Sequence, residues 1–132
     1  MIEVHHPVKI VENAYSTGEP GTGVKEESLV IKTSKGLVII TGCAHPGIVN
    51  IVKKAKEMLK TNVYLLLGGF HLSGMNGWQI EKIIKGIKNE KVEKVAPCHC
   101  SGDLARKLFK KAYGENFILT GCGKKIKIKS AF

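Results

Sequence analysis

Three times in this chain an apolar run of strand length leads into a loop bearing a histidine, and each time an amphipathic helix follows. "GLVIIT" runs into "GCAHPG", "NVYLLL" into "GGFHLSGMNG", and "KVEKVA" into "PCHCSG". Strands alternating with helices at this spacing read as parallel βαβ units, which narrows the fold more than any other feature. The helices are legible by their period. Ile48, Ile51, Val52, Ala55, Met58 and Leu59 share one face of the first; Ile80, Ile83, Ile84 and Ile87 recur at i, i+3, i+4, i+7 in the second, which ends near Asn89. Behind Ser101, a residue suited to cap a helix, Leu104, Leu108, Phe109 and Ala112 supply the packing face of the third.

The flanks are simpler. "SLVIKT" and "GLVIIT" lie on either side of Ser34, Lys35 and Gly36 and predict a hairpin. Residues 1–25, with Pro7, Pro20 and "STGEPGTG", predict an irregular lead-in with one short strand, and "NFILT" and "KIKIK" predict two closing strands about "GCGK". Residues 1–132 thus read as a single α/β domain whose 43% apolar composition can fill a core without staples.

In an α/β sheet the loops leaving the carboxyl ends of neighbouring strands line one crevice, and ligands bind there. His45, His71 and His99 each follow a strand, so parallel and adjacent strands bring the imidazoles together. A single histidine in such a place more often satisfies a loop carbonyl. Three in equivalent places favour a shared metal or catalytic site, because neutral imidazole ligates without adding net charge. Near Ser101 and Gly102 the start of the third helix offers free N–H groups to the same crevice, a site for an anionic substrate group. "GEPGTG" is not a phosphate loop, since it neither follows a clear strand nor opens a helix. His5 and His6 point to opposite sides of an extended segment and read as solvated. Cys98, Cys100 and Cys43 could donate thiolates to zinc, but no C-x-x-C pair exists, and Cys98 and Cys100 diverge on an extended chain. Cys98 and Cys122 therefore read as packing residues, with Cys43 and Cys100 as thiols that support the ligands or respond to redox conditions.

Net charge is +10, yet Arg106 is the only arginine among 21 basic residues and aromatics make up 6%. Base and phosphate readers lean on arginine, so nucleic acid ranks last as a partner and a phosphorylated small molecule ranks first. Abundant lysine and glutamate with a single glutamine, Gln79, match a protein of a hot environment. No apolar run is long enough to span a membrane, and "MIEVHHPVKI" lacks the layout of a signal peptide, so a cytoplasmic location with reduced cysteines is expected.

The segments "YSTGE", "EESLVIKT", "KGLVIITG", "TGCAHPGIVNIV", "LLGGFHL" and "PCHCSG" resemble, in order, the C-terminal half of a metallo-β-lactamase-fold family. Its members include metal-dependent hydrolases and the dihydropterin-ribofuranosylaminobenzene 5'-phosphate synthases. The resemblance runs from Tyr15 to Gly123. It implies half of an αββα sandwich, a mixed sheet with three helices on one face. It also implies a divalent metal, zinc first, with magnesium and manganese as alternatives. His45 and His99 are the implied ligands, and His71 a ligand or substrate contact. The implied activity is hydrolysis or pterin-linked group transfer. The superfamily's H-x-H-x-D-H motif is absent, and Asp103 is the only aspartate. A half-site of this kind implies a partner: a separate N-terminal half, a second copy, or the remainder of a longer protein, with a non-catalytic subunit or fragment that docks on a catalytic half or self-associates as the alternative reading. A sheet covered on one side only would expose an apolar patch of several hundred Å².

Overall fold

The strands that carry the three histidine loops are parallel and adjacent. In the computed structural model, which describes residues 1–21 and 23–129, β4 (Gly36–Thr41) pairs with β5 (Val63–Gly69), and β5 with β6 (Lys94–Cys98). Thr41 lies opposite Gly68, Gly68 opposite Pro97, and Gly69 opposite Cys98, so the three strands end at one level. The helices α1 (Ile48–Leu59), α2 (Gly77–Asn89) and α3 (Asp103–Tyr113) follow in turn. Their inward residues join Leu37, Ile39, Val63, Leu66 and Val95 in one buried cluster, so all three cover the same face. Side chains alternate across each strand, and that parity sends Val38 and Leu65 to the other face, with Ala96 beside them.

The other half of the sheet is antiparallel. β3 (Leu29–Thr33) forms the expected hairpin with β4, and β1 (Val8–Val11) and β2 (Ala14–Ser16) extend it, giving the order β1 to β6. The lead-in is therefore more regular than expected: Asn13, at φ 62°, turns the chain between two strands. At the other end the expectation fails in the opposite sense. "NFILT" and "KIKIK" form no strand among the described residues; Phe117 makes one isolated bridge to Val95, and the Ile118 N–H donates to the Val95 carbonyl at 2.8 Å. The segment instead lays Ile118, Ile126 and Ile128 over Val38, Leu65 and Ala96. The face opposite the helices is thus partly roofed, while Ile40 and Leu67 remain half-buried and Leu29 is 36% exposed. No helix among the described residues is long and apolar enough to cross a membrane.

The strand ends meet through glycine. Gly68 has φ 123°, and a Cβ there would lie 2.2 Å from the Thr41 carbonyl oxygen, inside any allowed contact. Substituting Gly68→Ala combines a forbidden backbone region with that clash, and a loss of at least ~2 kcal/mol is expected. Urea denaturation measures it; an unchanged midpoint would show that β4 and β5 do not depend on the close approach.

Candidate metal centre at the strand ends

The loop after β4 is organised by a residue that lies outside it. Glu26, with its side chain 14% exposed, accepts hydrogen bonds from the backbone N–H groups of Cys43 (2.8 Å), Ala44 (2.8 Å) and His45 (3.1 Å). It also accepts from His45 Nδ1 at 2.8 Å. Burial alone would raise the Glu26 carboxyl pKa; the donors from Ala44, the His45 ring, His45 and Cys43 outweigh it and hold the carboxyl below its ordinary 4.5. With Nδ1–H committed to a carboxylate, His45 presents Nε2 as its free lone pair. Metal-bound histidines are usually oriented by a carboxylate in this way.

His71 stands beside His45, with ring centroids 4.5 Å apart and planes tilted by 51°. Its backbone is held at φ 54°, and its loop is tied to the next one: the Leu72 and Ser73 N–H groups both donate to the Cys100 carbonyl at 3.1 Å. Phe70, 1% exposed, anchors the loop by packing edge-on against Phe109 of α3 at 5.4 Å. A cleft of about 230 Å³ opens beside the two imidazoles, lined by Ala44, Phe70, Leu72, Met75 and Ile83.

His99 faces a different set of groups. Residues 99–101 form a single 3₁₀ turn, which curls Cys100 back towards the β4 loop. The Cys43 sulfur lies 3.2 Å from His99 Nε2, and the Cys100 Sγ approaches the Cys43 carbonyl at 3.6 Å. The two sulfurs and a ring nitrogen of His99 all fall within 4.8 Å of one another. Hydrogen bonding to Cys100, followed by burial and neighbouring negative charge, pushes the Cys43 thiol up. The Cys98 thiol is also pushed up, by burial first; its sulfur lies 3.7 Å from the opposite ring nitrogen, His99 Nδ1. Gly69 makes room for this cluster, since a Cβ there would lie 2.5 Å from His99 Cε1 and 2.6 Å from the Cys100 sulfur.

Two expectations need correction. Ser101 does not cap α3, whose cap is Gly102 at φ 82°. The Ser101 hydroxyl is fully buried, donates to the Cys98 carbonyl at 2.8 Å and accepts from the Phe70 N–H at 3.0 Å, so it is not offered to the crevice as a substrate contact. Gly102 packs close to Ser73, and the fully exposed Asp103 carboxylate occupies the first turn, which disfavours a second anion there. Cys43 and Cys100, expected to support the ligands or respond to redox conditions, lie with His99 in the one cluster with metal-ligand spacing among the described residues. Glu26 was missed, although a signal existed. Leu29 pairs with Ile40, and continuing that antiparallel register outward sets Glu26 opposite Cys43.

The donor chemistry fits a divalent metal in two ways, through carboxylate-oriented imidazole and through thiolate with imidazole. One solved structure similar to this chain is of a metal-dependent enzyme. A crystal structure of a metal-dependent hydrolase of the β-lactamase superfamily superposes with TM-score 0.83 at 32% identity, over 97% of this chain and 57% of the other. This chain is one α/β half of the metallo-β-lactamase fold. Over 103 residues the half-fold is 42% identical to the 7,8-dihydropterin-6-methyl-4-(β-D-ribofuranosyl)-aminobenzene-5'-phosphate synthase of Methanocaldococcus jannaschii, covering 77% of this chain and 35% of that protein. An uncharacterised protein of the same organism is 35% identical over 91 residues, 69% of this chain and 34% of its own length. The half-fold thus spans about a third of the curated relatives it matches. No family model matches the chain.

Glu26 should be measurable as a structural keystone of this half-fold. Its carboxyl pKa is lowered in the folded state, so its stabilisation is present above pH 4.5 and is lost as pH falls through the folded value. Glu26→Gln is expected to cost about 2 kcal/mol at pH 7, the worth of charge-assisted bonds to backbone N–H groups. The gap from the parent chain should narrow in urea denaturation as pH falls below 4.5 and the carboxyl takes up its proton; a gap that persists once it is protonated would mean that the carboxylate charge is not its source.

Proposed function

We propose that this chain forms part of the active site of a metal-dependent hydrolase or pterin-linked group-transfer enzyme acting on a phosphorylated small molecule. His45 and His99 hold a divalent cation, and His71 ligates it or contacts the substrate. The observation that carries this reading is the Glu26–His45 pair, a carboxylate that fixes an imidazole with Nε2 free at the end of a parallel strand. The similarity to a pterin-linked synthase and to a metal-dependent hydrolase of the same superfamily supports it. A metal bound there supplies a Lewis acid and a water acidified towards neutrality.

The chain's own residues do the rest. Glu26 keeps the His45 proton on Nδ1 and sets the ring plane. The apolar cleft beside His45 and His71 accepts a flat, weakly polar part of a substrate and excludes water from it. The lysine-rich surface, with net charge +10, draws in the phosphorylated part. Zinc is the first choice of metal, because nitrogen and sulfur donors surround the site. The remaining ligands come from outside these residues: from a separate N-terminal half, from a second copy of the chain, or from the remainder of a longer protein.

Metal analysis of the purified full chain, followed by a phosphoester hydrolysis screen, tests this. Weak metal binding and marginal turnover are expected. Tight stoichiometric metal with robust turnover by the chain on its own would overturn the incompleteness. In the same titration His45→Ala should weaken metal binding, and Glu26→Gln should weaken it by roughly 10–100-fold, the usual cost of removing a partner that orients a ligand. Equal affinity in both variants would remove His45 from the site.

A further inference from the structure

We infer that Cys43, His99 and Cys100 form a sulfur–nitrogen–sulfur site for a thiophilic divalent cation, zinc above all, with donors distinct from the His45–His71 pair. It draws on the same His99 Nε2 as the function proposed above, and that one lone pair binds one cation, so the two sites exclude each other at full occupancy; the two cysteines are its own ligands, and the His45→Ala arm below separates the two readings.

The geometry is close to what such a cation requires. Bond lengths of about 2.3 Å to sulfur and 2.0–2.1 Å to nitrogen put tetrahedral ligand atoms roughly 3.5–3.8 Å apart. The three donor atoms lie within 4.8 Å of one another, with Cys43 Sγ and His99 Nε2 at 3.2 Å, so adjustments of an ångström or less complete the set. The nitrogen is steered as well. Cys98 Sγ occupies the Nδ1 side of the ring at 3.7 Å, which leaves Nε2 facing Cys43.

The backbone has been bent to bring these groups together. His99 sits at φ 27°, outside the regions a side-chain-bearing residue adopts readily. Cys100 is held by its own carbonyl, which receives the Leu72 and Ser73 N–H groups. Only glycine at position 69 permits the approach, because a Cβ would strike both His99 and Cys100. Packing alone gives no reason for this cost: His99 is exposed, and the two thiols are only half-buried. Two thiolates cancel the charge of a divalent cation, whereas imidazoles leave it at two plus. A site of this composition selects soft over hard metals, and magnesium or manganese should not compete for it.

The test uses the full chain with cobalt(II), zinc and magnesium as probes. Cobalt should give thiolate-to-metal charge-transfer absorption in the near ultraviolet, abolished by excess zinc and untouched by millimolar magnesium. Zinc should protect Cys43 and Cys100 from iodoacetamide in peptide mass spectrometry, while Cys122, exposed and not a member of the cluster, alkylates at the same rate with or without metal. Cys43→Ser and Cys100→Ser should each weaken cobalt binding at least 10-fold and reduce the charge-transfer band, and His45→Ala should leave the band in place. No band in the parent chain, equal protection of Cys43 by magnesium, or loss of the band in His45→Ala would each overturn the proposal. The labelling experiment needs no variant, so a serine variant that fails to fold does not remove the test.

Discussion

Everything at the strand ends depends on how closely β5 can approach its neighbours. Parallel strands stand about 4.8 Å apart, and loops leaving them ordinarily diverge as side chains intervene. Here the last two residues of β5 are Gly68 and Gly69, and a Cβ on either would collide with the next strand or its loop. Without those side chains, the Gly69 N–H donates to the Gly42 carbonyl at 2.9 Å, beyond the end of β4. The Thr41 hydroxyl in turn donates to the Gly69 carbonyl at 2.9 Å. On the other side the Phe70 N–H reaches the Ser101 hydroxyl. Three loops that could have been independent are welded into one surface, and the histidines ride on it.

That surface is strained where its chemistry is. Among the described residues, Ala44, His71 and His99 adopt positive φ values of 62°, 54° and 27°, one in each of the three loops. Each such residue costs about 1–3 kcal/mol unless its surroundings hold it. Glu26 holds the first through the N–H groups around Ala44, the Phe70–Phe109 contact holds the second, and the bonds into Cys100 and Ser101 hold the third. The helix layer beneath supplies the rigidity, with Ile51, Val52, Ile80, Ile87 and Phe109 all 1% exposed or less.

The parts legible in the sequence were those governed by period. Isoleucine spacing located α1 and α2, apolar runs located the parallel strands, and a histidine after each strand marked one edge of the sheet. What escaped was governed by tertiary pairing. Glu26 acts across a hairpin register, which no local window contains. Cys98 and Cys100 diverge on an extended chain, but the 3₁₀ turn at His99 rotates Cys100 towards Cys43, so an argument from strand geometry failed where the strand had already ended. The closing strands were expected from the alternation in "KIKIK", yet the same alternation also describes a segment lying flat on a sheet face, isoleucines down and lysines up. Pattern alone does not separate ladder pairing from that roof.

The roof bears on the function proposed above. Ile118, Ile126 and Ile128 shield Val38, Leu65 and Ala96, and among the described residues the segment's backbone bond to the sheet is that of Ile118 with Val95. Its grip is mainly apolar burial by half-buried side chains, weaker than a strand ladder or a second packed sheet. The solved hydrolase that this chain matches has 43% of its length outside the match, since the match covers 57% of it. Under the function proposed here, a partner that packs on the sheet face not covered by helices meets this segment. That partner and the roof would then compete for one surface. Isoleucines interleaved with lysines suit such a cover, because they bury enough to keep the face from water and leave the segment soluble once it is lifted.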